Sequence, residues 1–380
     1  MMTKQKKIFS TAKRIVIKVG SNVLTAEHGL NTDAIGIISQ QISLLFERGI
    51  EIVMVSSGAM AAGCKKIGLA KRPADIPSRQ AVAAVGQAGL ILEYEKAFSK
   101  YNKKVAQILL TQSDLNHRER YLNARNTLNT LLSWSILPII NENDTVVTEE
   151  IKFGDNDNLS AMIALLMDAN ILINLTDIDG LYTKDPRTTP DAEMIKIIGN
   201  IDHKIKKMAG GIPGALGTGG MLSKIHAAEK VTAAGIPMVI ANGKKPNTLN
   251  DLFSGKQSGT YFVANENKLS KRKCWIAFSR KPKGKIQVDD GAAQALLHNG
   301  KSLLPIGITA VEGSFMIGDC VELFSADGRK LAIGLVNYSA VDILKIMGHR
   351  SNQIEFVLGS KPYDEVIHRD NLAIRHEKEY

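Results

Sequence analysis

Cysteine is scarce in this sequence: Cys64, Cys274 and Cys320 are spread over 380 positions. Few, odd in number and far apart, they argue against a disulfide framework or a cysteine-based zinc site. They fit reduced thiols in a cytoplasmic protein. Aromatic residues make up only 5% of the chain and form no cluster, which weighs against a stacking platform for nucleic acid. No run of ~18 apolar residues occurs, so no membrane span is expected. The opening MMTKQKKIFSTAKR lacks a continuous apolar stretch and an A-x-A-like cleavage site, so no secretory signal is expected. A concentrated charge is missing too. The net charge of +10 divides into +7 over residues 1–270 and +3 over 271–380, nearly even per residue. A mildly basic soluble protein is favoured over a dedicated nucleic-acid surface.

What the chain does have is alternation. RIVIKVG, GIEIVMVSS, KVAQILLT, SILPIINEND, ANILINLTDIDG and GIPMVIANG read as strands. Residues 31–48, 79–101, 118–134, 158–168 and 219–234 read as helices between or after them. Such alternation implies right-handed βαβ units and a largely parallel sheet, apolar on both faces because helices cover both. The pattern breaks near 255–274, where SGKQSGT and ANENKLSKRK are polar. The expected division is 1–262, a linker at 263–274, and a small β-rich domain at 275–370. In the last part CWIAF, GKIQVDDG, GSFMIGDCVELF, KLAIGLVNYS and EFVLG read as β runs. GAAQALLHNG and a stretch near 340–348 read as helices.

Ligands in open α/β sheets bind beyond the carboxyl ends of the strands. Here the strand ends carry Lys18, Gly20, Ser21 and Asn22; Ser56, Ser57 and Gly58; Asn141, Glu142, Asn143 and Asp144; and Thr176, Asp177 and Asp179. Any one of these could be a routine turn; together they favour a site. SSGAMAAG leads into a helix N-terminus and suits either a tight turn or an anion. FGDNDNLSA sets Asp155, Asn156, Asp157 and Asn158 before an apolar helix, more polar groups than an N-cap needs. Lys18 lies within IVIKVG, where a lysine is costly unless paired or snorkelling. GTGGMLSK, residues 217–224, is not the P-loop, which needs its lysine directly after a glycine. Its glycines nevertheless admit backbone N–H groups to a phosphate, with Lys224 near a helix start. Together, Lys18, Lys224 and the carboxylates point to phosphoryl transfer.

These motifs, IVIKVGSNVLT, VSSGAMAAG, AAVGQ, LNARNTL, INENDTV, IKFGDNDNLSA, LTDIDGLYTKDPR and GTGGMLSK, resemble the amino acid kinase family. NEND followed by GDNDNLSA resembles its glutamate-phosphorylating members. GKIQVDDGA, KSLLPIGI, FMIGDCVELF and IGLVNYSA resemble a PUA domain, a small pseudo-barrel shared with RNA-modifying enzymes. The resemblance implies an αβα sandwich with a largely parallel central sheet, followed by that domain. It implies transfer of the ATP γ-phosphate to the side-chain carboxylate of L-glutamate, the first step of proline biosynthesis, with Mg²⁺ on the ATP phosphates. Lys18 and Lys224 would be catalytic, with Asp157 aligning them. Ser57, Asp144 and Asn156 would hold glutamate. Lys18, Thr176, Asp177, Thr218, Gly219, Gly220, Met221, Leu222, Ser223 and Lys224 would contact the nucleotide. Ser223 stands where similar enzymes often have threonine.

Proline as feedback inhibitor and a homo-oligomer, dimer or tetramer, are implied as well. No histidine is expected in the chemistry: His28, His117, His203 and His226 lie outside the motifs. The alternatives are a family member acting on aspartate, N-acetylglutamate, carbamate or UMP, and an RNA-binding protein working through the PUA-like part. The PUA-like tail and NEND with GDNDN weigh against the former, the even charge and sparse aromatics against the latter.

Overall fold

The computed structural model describes residues 2–26, 29–146, 156–210, 220–266, 270–279 and 282–374. The chain divides into two compact units, Met1–Lys268 and Leu269–Tyr380.

The first unit is built on a sheet with strands β1 (Arg14–Val19), β2 (Glu51–Val55), β3 (Lys104–Leu110), β4 (Ile136–Glu142), β5 (Ile171–Thr176), β6 (Ile197–Ile198), β7 (Met238–Asn242) and β8 (Thr260–Phe262). Their order is β3-β4-β2-β1-β5-β7-β8-β6. All pairings are parallel except β8 against β7. Strand β5 is buried along its whole length, and β1 along all but its first residue. Both faces of these strands are therefore covered, as their largely apolar runs require.

The connecting helices include α1 (Thr32–Glu47), α2 (Ala59–Ile67), α3 (Ile76–Ser99), α4 (Arg118–Ser133), α5 (Asn156–Leu166) and α6 (Met221–Ala233). Ile15, Ile17 and Val19 of β1 share one core with Ile35, Ile38 and Ile42 of α1 and Tyr94 and Phe98 of α3. Strand side chains alternate, so Lys18 points to the opposite face, towards α5 and α6. Helices α2 and α3 approach closely through glycines. A Cβ on Gly63 would lie 1.9 Å from the Val82 carbonyl oxygen, and one on Gly86 1.7 Å from that of Ala59.

The second unit has its own sheet of β9 (Gly284–Val288), β10 (Ile308–Gly313), β11 (Cys320–Phe324), β12 (Lys330–Leu335) and β13 (Leu372–Ile374), ordered β10-β9-β11-β12-β13. Its core joins Ile286, Val321, Leu323 and Leu372 to Leu296 and Ile343 of two helices, 290–299 and 340–346.

Two runs expected to be strands are helices. CWIAF lies in Lys271–Ser279, entered through Ser270, whose carbonyl accepts from Cys274 N at 2.9 Å. Cys274, Trp275 and Ile276 are buried there. EFVLG lies in Ile354–Leu358, which stops at Gly359 in the left-handed conformation, φ 75°. Short apolar runs carry no periodicity that separates strand from helix, so end signals decide them. Tyr261, in the stretch expected to break the pattern, is buried in β8 and pairs with Val239 and Ile197.

Candidate active site

Helix α5 starts at Asn156, two residues before its expected start, which puts Asn156 and Asp157 in its first turn over the ends of the strands. Asp157 is 1% exposed. Its Oδ1 accepts from Lys18 Nζ at 2.6 Å and Asn174 Nδ2 at 2.8 Å. Its Oδ2 accepts from Lys224 Nζ at 3.0 Å and Ser223 Oγ at 2.5 Å. Each oxygen thus holds one ammonium and one neutral donor.

Burial pushes the Asp157 carboxyl up, but the charges of Lys18 and Lys224 and the hydrogen bonds overcome it and hold the pKa far below the usual carboxylate range. Both lysines are themselves buried. Among these three groups the formal charge is positive by one, which suits a buried anion such as a phosphoryl group. Four donors thus surround Asp157, from Lys18, Asn174, Lys224 and Ser223.

A second cluster lies at the ends of β2 and β4. Asn156 Nδ2 lies 2.9 Å from the Ser56 carbonyl, 3.0 Å from Ser57 Oγ and 3.2 Å from Asn141 Oδ1. Asn141 Nδ2 in turn donates to Gln87 Oε1 at 3.2 Å. Gln87 Nε2 reaches the Glu142 carbonyl at 3.2 Å and Asp144 Oδ2 at 3.5 Å. Burial raises the Asp144 carboxyl to about 6, against the opposing pull of Gln87 and the charge of Arg72. Ser57, Asn156 and Asp144 are therefore joined by one network of side-chain amides running through Asn141 and Gln87. Gly58, with φ 104°, turns the chain from β2 into α2. That conformation strongly favours glycine.

The third group surrounds the end of β5. Thr176 Oγ1 donates to Asp177 Oδ1 at 3.1 Å, and Asn22 Nδ2 to Asp177 Oδ2 at 3.0 Å. Gly20 joins this group to the lysines: a Cβ there would stand 3.7 Å from Lys18 Nζ and 3.9 Å from Thr176 Cα. Gly220 is the N-cap of α6. A glycine there leaves the first-turn N–H groups without a capping side chain of its own. Met221 is buried and Leu222 is 36% exposed, so any polar contact from them uses the backbone. Thr218 and Gly219 lie outside the described residues, as does Asp155. Asn158 turns away to accept from Lys230.

Four members of these clusters have no role assigned from the sequence. Asn174 had a usable signal, a lone polar residue inside an apolar strand, as Lys18 did. Asn141 lay within a polar strand ending that was noticed as a whole. Gln87 closes the AAVGQ motif but sits mid-helix, and Arg72 lies in a loop with nothing local to distinguish it.

The strand ends thus carry a buried carboxylate clamped between two lysines, and residues 13–242 match the amino acid kinase family. The chain belongs to that family. Residues 284–358 match the PUA domain. Among relatives, the chain is 51% identical over 368 residues to the glutamate 5-kinase of Geobacter sulfurreducens, covering 97% of this chain and 99% of that one. It is 49% identical over 374 residues to the glutamate 5-kinase of Syntrophus aciditrophicus, covering 98% and 97%. It is 50% identical over 362 residues to that of Caldanaerobacter subterraneus subsp. tengcongensis, covering 95% and 97%. Among the described residues no helix is long and apolar enough to cross a membrane.

Proposed function

We propose that this chain transfers the γ-phosphoryl group of ATP to the side-chain carboxylate of L-glutamate, yielding L-glutamyl 5-phosphate, the first step of proline biosynthesis. The observation that carries the reading is the clamp of Lys18 and Lys224 on Asp157, with the neighbouring Asn156 joined to the amide network of Asn141 and Gln87. The relatives named glutamate 5-kinase, matched over nearly their whole length, support the choice of substrate.

The acceptor carboxylate has a free pKa of ~4.3 and is ionised at neutral pH, so no general base is needed. One of its oxygens bonds to the γ-phosphorus as the bond from that phosphorus to the bridging oxygen of ADP breaks. The electron pair leaves on the β-phosphate, and no proton moves in the step. Catalysis then rests on alignment and on neutralising charge over the equatorial oxygens. Lys18 and Lys224 do this from two sides, with Asp157 fixing their separation. Ser57 and Asn156 orient glutamate, and Asp144 takes its α-amino group. Thr176, Asp177 and the segment Thr218–Lys224 hold the nucleotide, largely through backbone N–H groups in the glycine-rich part.

Mg²⁺ would supply charge neutralisation at the ATP phosphates, held through the nucleotide that Lys18, Lys224 and the segment Thr218–Lys224 bind. Asp157, which already accepts from Lys18, Asn174, Lys224 and Ser223, would act on the lysines and not as a ligand of that metal.

The test is ADP release from ATP and Mg²⁺ with L-glutamate, and separately with aspartate, N-acetylglutamate, carbamate and UMP. The expected result is release that depends on L-glutamate. Release with another acceptor and none with glutamate would reject the reading.

A further inference from the structure

Asn174 is an anomaly in its strand. Its neighbours Ile171, Leu172, Ile173 and Leu175 are all buried and aliphatic, and Asn174 itself is 0% exposed. An aliphatic side chain would suit that position better, because a buried amide is costly unless hydrogen-bonded. Only part of its capacity is used. Nδ2 donates to Asp157 Oδ1 at 2.8 Å, while Oδ1 is buried with no hydrogen-bond partner. The opposite amide orientation would set Oδ1 against the carboxylate, so Asp157 dictates which way the amide faces. Asn174 pairs with Lys18 across the parallel ladder, which places both side chains on the face that meets α5. Asn174 and Lys18 converge on the same carboxylate oxygen.

We infer that Asn174 is a positioning residue for phosphoryl transfer, holding the plane of the Asp157 carboxylate so that Lys18 and Lys224 address one phosphoryl group. Ser223 does the corresponding work on the other oxygen. Each neutral donor occupies lone-pair space that would otherwise let its ammonium swing around the carboxylate. The inference rests on the phosphoryl-transfer reading and is independent of which acceptor is used.

Asn174→Leu keeps the approximate volume and removes the donor. In calorimetric titrations it is expected to weaken a non-hydrolysable ATP analogue about tenfold while leaving ADP within about twofold, because the lysines are aimed at the γ-position. With glutamate, kcat should fall about tenfold at unchanged glutamate KM. Thermal stability should be equal or higher, which separates positioning from a structural role. Native affinity for both nucleotides, or a native kcat, overturns the inference. Wild-type protein that binds the analogue but does not turn over glutamate would reject the substrate assignment, while the titrations still decide this one.

Asn174→Asp gives a second measure should the leucine variant not fold. The new carboxyl can donate only when protonated, so its activity relative to wild type should rise as pH falls. For the nucleotide titrations the same trend is expected. A flat ratio across pH overturns the inference.

Discussion

Lys18 and Lys224 sit on opposite oxygens of one buried carboxylate, at 2.6 and 3.0 Å from Asp157. One lysine comes from a central strand and the other from the first turn of a late helix, so only the folded first unit brings them together.

Lys224→Ala removes one of the two charges proposed to face the transferring group. Turnover should fall at least about tenfold, equivalent to ~1.4 kcal/mol at the transition state. Steady-state kinetics at saturating ATP and glutamate provide the check, and near-native turnover removes Lys224 from the mechanism.

Asp157→Asn leaves two buried ammonium groups without their shared counter-charge. Breaking a buried pair costs about 3–5 kcal/mol, so urea denaturation should show a clear loss of stability. Adding Lys18→Met removes one of the stranded charges and should recover part of that loss. A single variant as stable as wild type would contradict the assignment of the clamp as an ion-pair triad.

Asp144 makes the site sensitive to mild acid. Its folded pKa is raised to about 6 by burial, and its proposed role at the α-amino group of glutamate needs the charged form. The kcat/KM for glutamate, which reports the free enzyme, should fall as pH drops through about 6, and Asp144→Asn should lose that limb. The stability effect has the opposite sign. Between the unfolded pKa of 3.8 and about 6 the folded state holds more protons than the unfolded one, so wild-type stability drops as pH rises through that window. Relative to Asp144→Asn, wild type should therefore gain stability on acidification from pH 7 to 4. A pH-independent stability difference between the two proteins would contradict the raised pKa.

Proline shares an α-carboxylate and α-nitrogen with glutamate but has no side-chain carboxylate to phosphorylate. It is proposed to occupy the groups around Asp144 and Asn156. Glutamate titrations at several fixed proline concentrations should show a rising apparent KM with kcat nearly unchanged. Inhibition that persists at saturating glutamate would place proline elsewhere.

Much of the fold is legible because the parallel strands are long apolar runs bounded by polar endings, and the helices between them are amphipathic. Lys18 declared itself by its cost inside IVIKVG, and Asn156 and Asp157 by exceeding what an N-cap requires. The helix around Trp275 was not legible, because three adjacent buried residues suit a strand or a helix equally and the deciding signal is a capping serine in a basic stretch. Asn174 is a buried polar residue of the same kind as Lys18, but an amide raises less suspicion than a charge. Gln87 and Arg72 gain meaning only from Asn141 and Asp144, which other parts of the chain bring to them.

The most direct measurement of the central claim follows an oxygen atom. L-glutamate labelled with ¹⁸O in its side-chain carboxylate is incubated with ATP, Mg²⁺ and the protein, and hydroxylamine traps the acyl phosphate by attack at its carbonyl carbon. If that carboxylate is the nucleophile, each phosphate released carries one labelled oxygen, visible as an isotope shift in its ³¹P resonance. Phosphate released without label would mean that water, not glutamate, attacked the γ-phosphorus, and would contradict the account.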